Sequence, residues 1–294
     1  MFKNYLLLSL IFCSLAFSGE KKYLIRIENE LGIYYEESNS LKVLTKNNIA
    51  IDSASWSPDG KYIAYGLTKN YQLTDLLIID EEGKEILRIP LNPLKEDKFK
   101  NWDIRFVFKI EWLDKDLITV ESDIGPHGGL MDIIRVNFSS NSYNHIKRFE
   151  FYWCGDCSVS PKLEKMVCGC CGYDEIPQEG KQVDMSCGIS LFDLNKKEFP
   201  DEKNFCDPEP KPIEFDLKGG EELKFISDDE FLIKRGEDEF YIYNLKEDKL
   251  EKVKKLPKEI KLKEFPKLME IKIGEKKYKL SGLAGSHDIF DVYE

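Results

Sequence analysis

Short apolar runs follow one another along nearly the whole chain after residue 22. Most alternate apolar with polar positions, and most are separated by turn residues. A period of two is the signature of strands with one buried face. The clearest stretch is Ala54-Ser55-Trp56-Ser57-Pro58-Asp59-Gly60-Lys61-Tyr62-Ile63-Ala64-Tyr65. An aromatic residue ends one strand there, and Ser-Pro-Asp-Gly then makes a tight turn. Pro58 presets φ, and Gly60 accepts a positive φ. The residues from Tyr62 onward form the returning strand.

This hairpin recurs in degenerate form. Ile110-Glu111-Trp112-Leu113-Asp114-Lys115-Asp116-Leu117 keeps the aromatic, the turn and the return. Residues 157–168 keep Ser160-Pro161 but lose Asp-Gly. Residues 223–233 keep an aromatic, Phe225, and an acidic turn, Asp228-Asp229. The anchors at 56, 112, 159 and 225 are 56, 47 and 66 residues apart. Each hairpin is followed by a second apolar segment ending in an acidic or Asn turn: Leu76–Leu87, Ile133–Asn137, Ile189–Asn195 and Tyr241–Leu245. These segments predict outer hairpins, giving four four-stranded units. Strand-rich ends at Tyr23–Leu44 and Met269–Leu280 could jointly close a fifth or sixth, because a ring leaves no free edge.

The motif Trp56-Ser57-Pro58-Asp59-Gly60, echoed at Trp112, resembles the inner-strand repeat of TolB-like and WD-type β-propellers. The resemblance covers about residues 22–285, and only the first repeat is a good match. It implies an all-β fold, a propeller of four-stranded blades with five to six blades. A β-sandwich built from the same hairpins is the competing architecture. The family implies a scaffold whose central mouth or rim binds another protein or a small ligand.

Residues 1–18 read as an export signal. Lys3 supplies a positive start, Tyr5–Phe17 carries no charge, and Ala16-Phe17-Ser18 is a small-x-small cleavage motif. A retained anchor and lipidation at Cys13 are alternatives. Residues 19–294 then form a single propeller domain, periplasmic or secreted, with no membrane span after signal removal. Composition agrees with a folded chain: 42% hydrophobic and 33% charged residues exclude disorder and a multi-span membrane protein. A net charge of −11 argues against nucleic acid as a partner. The mixed-sign stretch from Lys246 to Lys263 reads as solvated surface.

Seven of the eight cysteines lie between 154 and 206: Cys154, Cys157, Cys168, Cys170, Cys171, Cys187 and Cys206. Aligning Ser57-Pro58 with Ser160-Pro161 puts the first two on an incoming inner strand. It puts the next three on the returning one. Antiparallel partners keep a constant sum of residue numbers. A sum of 325 sets Cys157 opposite Cys168 and Cys154 opposite Cys171, whereas a one-residue slip sets Cys154 opposite Cys170. Residues three apart on an uninterrupted strand point to opposite faces, so four sulfurs converge on one ion only if a bulge or an early strand end intervenes. Three readings stay open. Export favours structural disulfides among the seven. A zinc site could use Cys154, Cys157, Cys168, Cys170 and Cys171. The Cys154–Cys157 spacing also fits a redox dithiol, although no helix follows it.

Other candidate chemistry is thin. His127 sits with Gly128 and Gly129 in a Gly-rich loop that could touch a ligand at a rim, or could be an ordinary turn. His145 falls on an outer strand as a solvated residue. Ser286-His287-Asp288 cannot be a catalytic triad, because adjacent residues cannot be oriented as nucleophile, base and orienter. Asp114-Lys115-Asp116 and Asp228-Asp229-Glu230 could bind a cation weakly, but acidic turns explain them better. No nucleophile elbow, zinc-protease helix, P-loop or dinucleotide fingerprint is present. The expectation is a non-catalytic binding scaffold without a cofactor. The alternative is a metal-binding or redox protein centred on the cysteine cluster.

Overall fold

The computed structural model describes residues 20–293, except 28–29, 46–50, 52, 70–71, 92–105, 126–127, 153, 174–184, 196–210, 216, 219–220, 237, 258–259, 261–265, 267, 274 and 282–287. Every regular element among the described residues is a strand. Four sheets follow one another in simple meanders. The first of these holds β4 (Ala54–Trp56), β5 (Tyr62–Lys69), β6 (Gln72–Asp80) and β7 (Glu85–Pro90). Next come β8 (Phe106–Asp114), β9 (Leu117–Gly125), β10 (Gly128–Asn137) and β11 (Ser142–Tyr152). Then follow β12 (Cys154–Val159), β13 (Lys165–Tyr173), β14 (Met185–Asp193) and β15 (Lys211–Ile213). Last are β16 (Glu221–Phe225), β17 (Glu230–Arg235), β18 (Glu239–Asn244) and β19 (Lys249–Val253).

The remaining two sheets form at the ends of the chain. β1 (Lys22–Ile27), β2 (Glu30–Tyr35) and β3 (Ser40–Val43) are completed by β22 (Ile289–Tyr293), which pairs antiparallel with β1, Lys22 opposite Tyr293. β20 (Leu268–Ile273) and β21 (Lys276–Ser281) make a two-stranded sheet of their own. The joint closure expected of Tyr23–Leu44 and Met269–Leu280 is therefore corrected. The strand that completes the first sheet is 289–293, and the 268–281 hairpin packs beside it through Ile271 and Leu280 against Tyr23 and Ile25.

Among the described residues, six antiparallel sheets, five of them four-stranded, make this a β-propeller and set aside the two-sheet sandwich. The middle strands show why. In β6 the run Leu76-Leu77-Ile78-Ile79 is buried at every position. Leu76 and Ile78 enter a core shared with Val107, Trp112 and Ile118 of the next sheet. Leu77 and Ile79 enter one shared with Leu24, Leu31 and Ile33 of the preceding sheet. A blade sandwiched between two others buries both faces, so its central strands lose the polar half of their alternation. Similar cores join the β8–β11 sheet to the β12–β15 sheet, and the latter to the β16–β19 sheet.

Candidate functional site

The repeat motif builds turns. Ser57 N donates to Tyr62 O at 2.8 Å, Gly60 N donates to Ser57 O at 2.9 Å, and Asp59 accepts from Ser57 Oγ at 2.8 Å. Gly60 has φ +67°, and a Cβ there would lie 2.3 Å from the Tyr293 ring. Trp56 is buried and packs 5.8 Å from that same ring. Trp112 is buried too, and its Nε1 donates to Ser55 O of the preceding inner strand at 3.1 Å. The Ser160-Pro161 turn repeats the geometry although it lost Asp-Gly: Ser160 N donates to Lys165 O at 2.9 Å, and Leu163 occupies the glycine position at φ +61°.

The innermost strand of each blade pairs with its own sheet along one edge only. The other edge carries backbone N–H groups that need acceptors. Side chains of the preceding blade supply them. Asp291 on β22 accepts from Trp56 N at 2.8 Å and from Ser55 Oγ at 3.0 Å. Glu121 on β9 accepts from Cys157 N at 3.1 Å. Asp156 on β12 accepts from Leu223 N at 2.8 Å, and Ser158 Oγ accepts from Phe225 N at 3.0 Å. Three blade boundaries are thus clipped by charged or hydroxyl groups that reach across to the neighbouring blade.

At the middle of that row the clips converge on one charged cluster. A bulge in β12 sets Asp156 and Cys157 together against Cys168, with Asp156 at φ +47°. The bulge brings Asp156 Oδ1 to 3.0 Å from Lys109 Nζ of β8, and the same ammonium donates to Cys157 O at 3.2 Å. Glu121 is 1% exposed beside them, and its Oε1 has no hydrogen-bond donor among the described residues. Burial pushes the Glu121 carboxyl up to about 7; Lys109 pulls it down only in part, while Asp156 pushes it further up. Burial acts to lower Lys109, but Asp156, Glu111 and Glu121 outweigh it and hold the ammonium well above its usual range. Glu111 in turn lies 3.9 Å from Lys224 of β16. Alternation alone would place Lys109, Glu111 and Glu121 on a solvent face, so the sequence offered no signal for this cluster.

The described cysteines lie on β12, β13 and β14 of the same sheet as Asp156. Cys157 and Cys168 form a disulfide across β12 and β13, with Cα atoms 4.2 Å apart, and both are buried. That pairing belongs to the register summing to 325, continued by Ser158 opposite Val167. Beyond the bulge the sum drops by one and Cys154 lies opposite Cys170. Both alternative registers thus occur, one on each side of Asp156. Cys171 lies opposite Cys187 between β13 and β14. Cys206 is outside the described residues. The disulfide takes two of the five cysteines considered as zinc ligands. Among the described residues, no three His, Cys, Asp or Glu side chains group as metal ligands.

The remaining candidates are placed as follows. The expected Gly-rich loop is corrected in part: β9 runs to Gly125 and β10 starts at its register partner Gly128, so Gly128 and Gly129 lie in a strand, while Pro126 and His127 lie outside the described residues. His145 is on the outer strand β11, as expected, but it is not merely solvated. Its Nε2 lies 2.9 Å from Oδ1 of the fully buried Asp132, which Arg148 grips through Nε at 2.6 Å. Asp228 and Asp229 are engaged by Lys162 at 3.1 Å and by Lys246 at 2.6 Å. Asp114 accepts from Lys115 N at 2.7 Å, as an acidic turn does. Ser286 and His287 lie outside the described residues. Within the charged stretch, Lys246 and Lys249 are exposed. No helix among the described residues is long and apolar enough to cross a membrane.

No protein-family model matches the chain, and no curated protein matches it. Among solved structures it is similar to a chain of a mitotic checkpoint complex, at 12% identity and TM-score 0.45, over 79% of this chain and 60% of that one. It is also similar to hydrazine synthase from Kuenenia stuttgartiensis, at 14% identity and TM-score 0.42, over 76% of this chain and 64% of that one. TolB from Acinetobacter baumannii is similar at 14% identity and TM-score 0.41, over 94% of this chain and 66% of that one. The chain thus spans about 60–66% of the length of the solved chains it resembles.

Proposed function

We propose that this chain is an exported, non-catalytic binding scaffold, periplasmic or secreted, whose cysteine-bearing blade is held by disulfides. The observation that carries the proposal is the use made of the polar groups at its blade boundaries. Asp291, Glu121, Asp156 and Ser158 each spend an oxygen on a backbone N–H of the next blade. Groups committed in this way hold blades in register and give rims a fixed shape. A buried disulfide fits an oxidising compartment, which is what the leader-like residues 1–18 imply. The excess of acidic residues steers basic or neutral partners toward such a rim.

A second reading, a metal or redox centre with zinc as the metal, rests on the gathering of Cys154, Cys170, Cys171 and Cys187 on adjacent strands of one sheet. Two measurements separate the readings. The scaffold reading expects the exported protein to keep its full unfolding midpoint in chelator, and to be cross-linked in its native envelope to a defined basic or neutral partner. Loss of stability in chelator together with stoichiometric zinc would replace it with the metal reading. Cross-linking that recovers no partner would remove the scaffold.

A further inference from the structure

Two cysteine pairs are register partners in the β12–β13–β14 sheet, and a third is bonded at the bulge between them. Cys157 and Cys168 already bridge β12 to β13. Three residues along β12, past the bulge, Cys154 is the register partner of Cys170. On the other side of β13, Cys171 is the register partner of Cys187. Directly opposed residues of antiparallel strands have Cα atoms about 4.5–5.5 Å apart, inside the range that a disulfide spans. The bonded pair sets the precedent on the same two strands.

We propose that Cys154–Cys170 and Cys171–Cys187 are two further disulfides, so that three bridges tie β12, β13 and β14 into one covalent unit. Cys170 and Cys171 are consecutive on β13, and consecutive positions of a strand belong to opposite faces. The two new bridges therefore use different faces and different neighbours and do not compete. The same alternation argues against all four sulfurs meeting on one ion. The bulge at Asp156 has a clear consequence here: without the one-residue slip, Cys154 and Cys187 would both face Cys171, and Cys170 would have no opposed cysteine. The Cys171–Cys187 bridge also closes the 172–186 segment at its base, tethering it to the blade at both ends.

Each bridge joins two thiols, with loss of two protons and two electrons to the disulfide of a thiol–disulfide oxidant, which leaves as a dithiol. The pairing rests on the exported, oxidised reading above. The test is a map of the full-length exported protein, alkylated without reduction and cut after Lys and Arg. Peptides 149–162, 166–181 and 182–196 are expected as one linked species. Cys171→Ser should then expose a single new thiol at Cys187, and Cys154→Ser a single new thiol at Cys170. Linkage of any of these cysteines to another partner, Cys206 included, would overturn the pairing while leaving the oxidised reading intact. Free thiols at all four positions would overturn the pairing, and free thiols at Cys157 and Cys168 as well would overturn both.

Discussion

Glu121 is a carboxyl buried at a blade boundary, and its effect on stability follows from its pKa. It sits at about 7 in the folded chain against 4.5 unfolded. Below 4.5 both states hold the proton, and stability from this group is flat. Between 4.5 and 7 the folded state binds the proton and the unfolded state does not, so stability falls as pH rises. Above 7 the whole deficit, about 3 kcal/mol, is expressed. Glu121→Gln cannot ionise, so the variant should gain on the parent by up to that amount between pH 4.5 and pH 8, read by urea unfolding at each pH. An unchanged difference between the two proteins across that range would show that Glu121 does not titrate there. Gly60 makes a second prediction. Gly60→Ala meets the Tyr293 ring and holds a side chain at positive φ, and should lower stability by roughly 1–3 kcal/mol in the same assay. The need for glycine at position 60 was legible from Ser57-Pro58-Asp59-Gly60. The identical turn at Leu163 was not, because nothing in the identity of a leucine announces φ +61°. The fold imposes it through the Ser160 hydrogen bonds.

Strands and hairpins were the most legible scale. The anchors Trp56, Val159 and Phe225 occupy equivalent places before their turns, and the outer hairpins follow where an apolar segment ends in an acidic or Asn turn. The cysteine register was readable as two alternatives. It could not be resolved, because the bulge that admits both goes with contacts of Asp156 to Lys109 and Leu223 on other blades. Long-range contacts of that kind leave no periodic trace. The Cys157–Cys168 bridge closes a sequence separation of 11. Replacing both cysteines by serine in a Cys154→Ser/Cys170→Ser background, where no Cys154–Cys170 bridge encloses the same loop, should therefore cost about 3 kcal/mol from loop closure alone, seen as a lower urea midpoint. A change near zero would mean that the β12–β13 pairing is held by its hydrogen bonds and the surrounding core.

At the scale of the whole molecule, the sequence implied a ring but misassigned its closure. Residues 289–293 carry no repeat motif, only Ile-Phe-Asp-Val-Tyr, yet they complete the first blade and seat Asp291 under Trp56 and Ser55. Asp291→Ala leaves two buried donors unpaired and should cost about 2–3 kcal/mol. Asp291→Asn keeps one acceptor and should cost less. Equal, small losses in both would mean that β22 is held by its backbone pairing to β1 alone. The cysteine-bearing blade lies in the middle of this chain of clips, and its oxidation state decides between scaffold and metal centre. The measurement that tests this most directly is the intact mass of the natively exported protein, non-reduced and reduced, with metal analysis of the same sample. The account predicts a gain of about six hydrogens on reduction, two for each of three bridges, and no stoichiometric metal. Free thiols in the non-reduced protein with about one zinc per chain would contradict it.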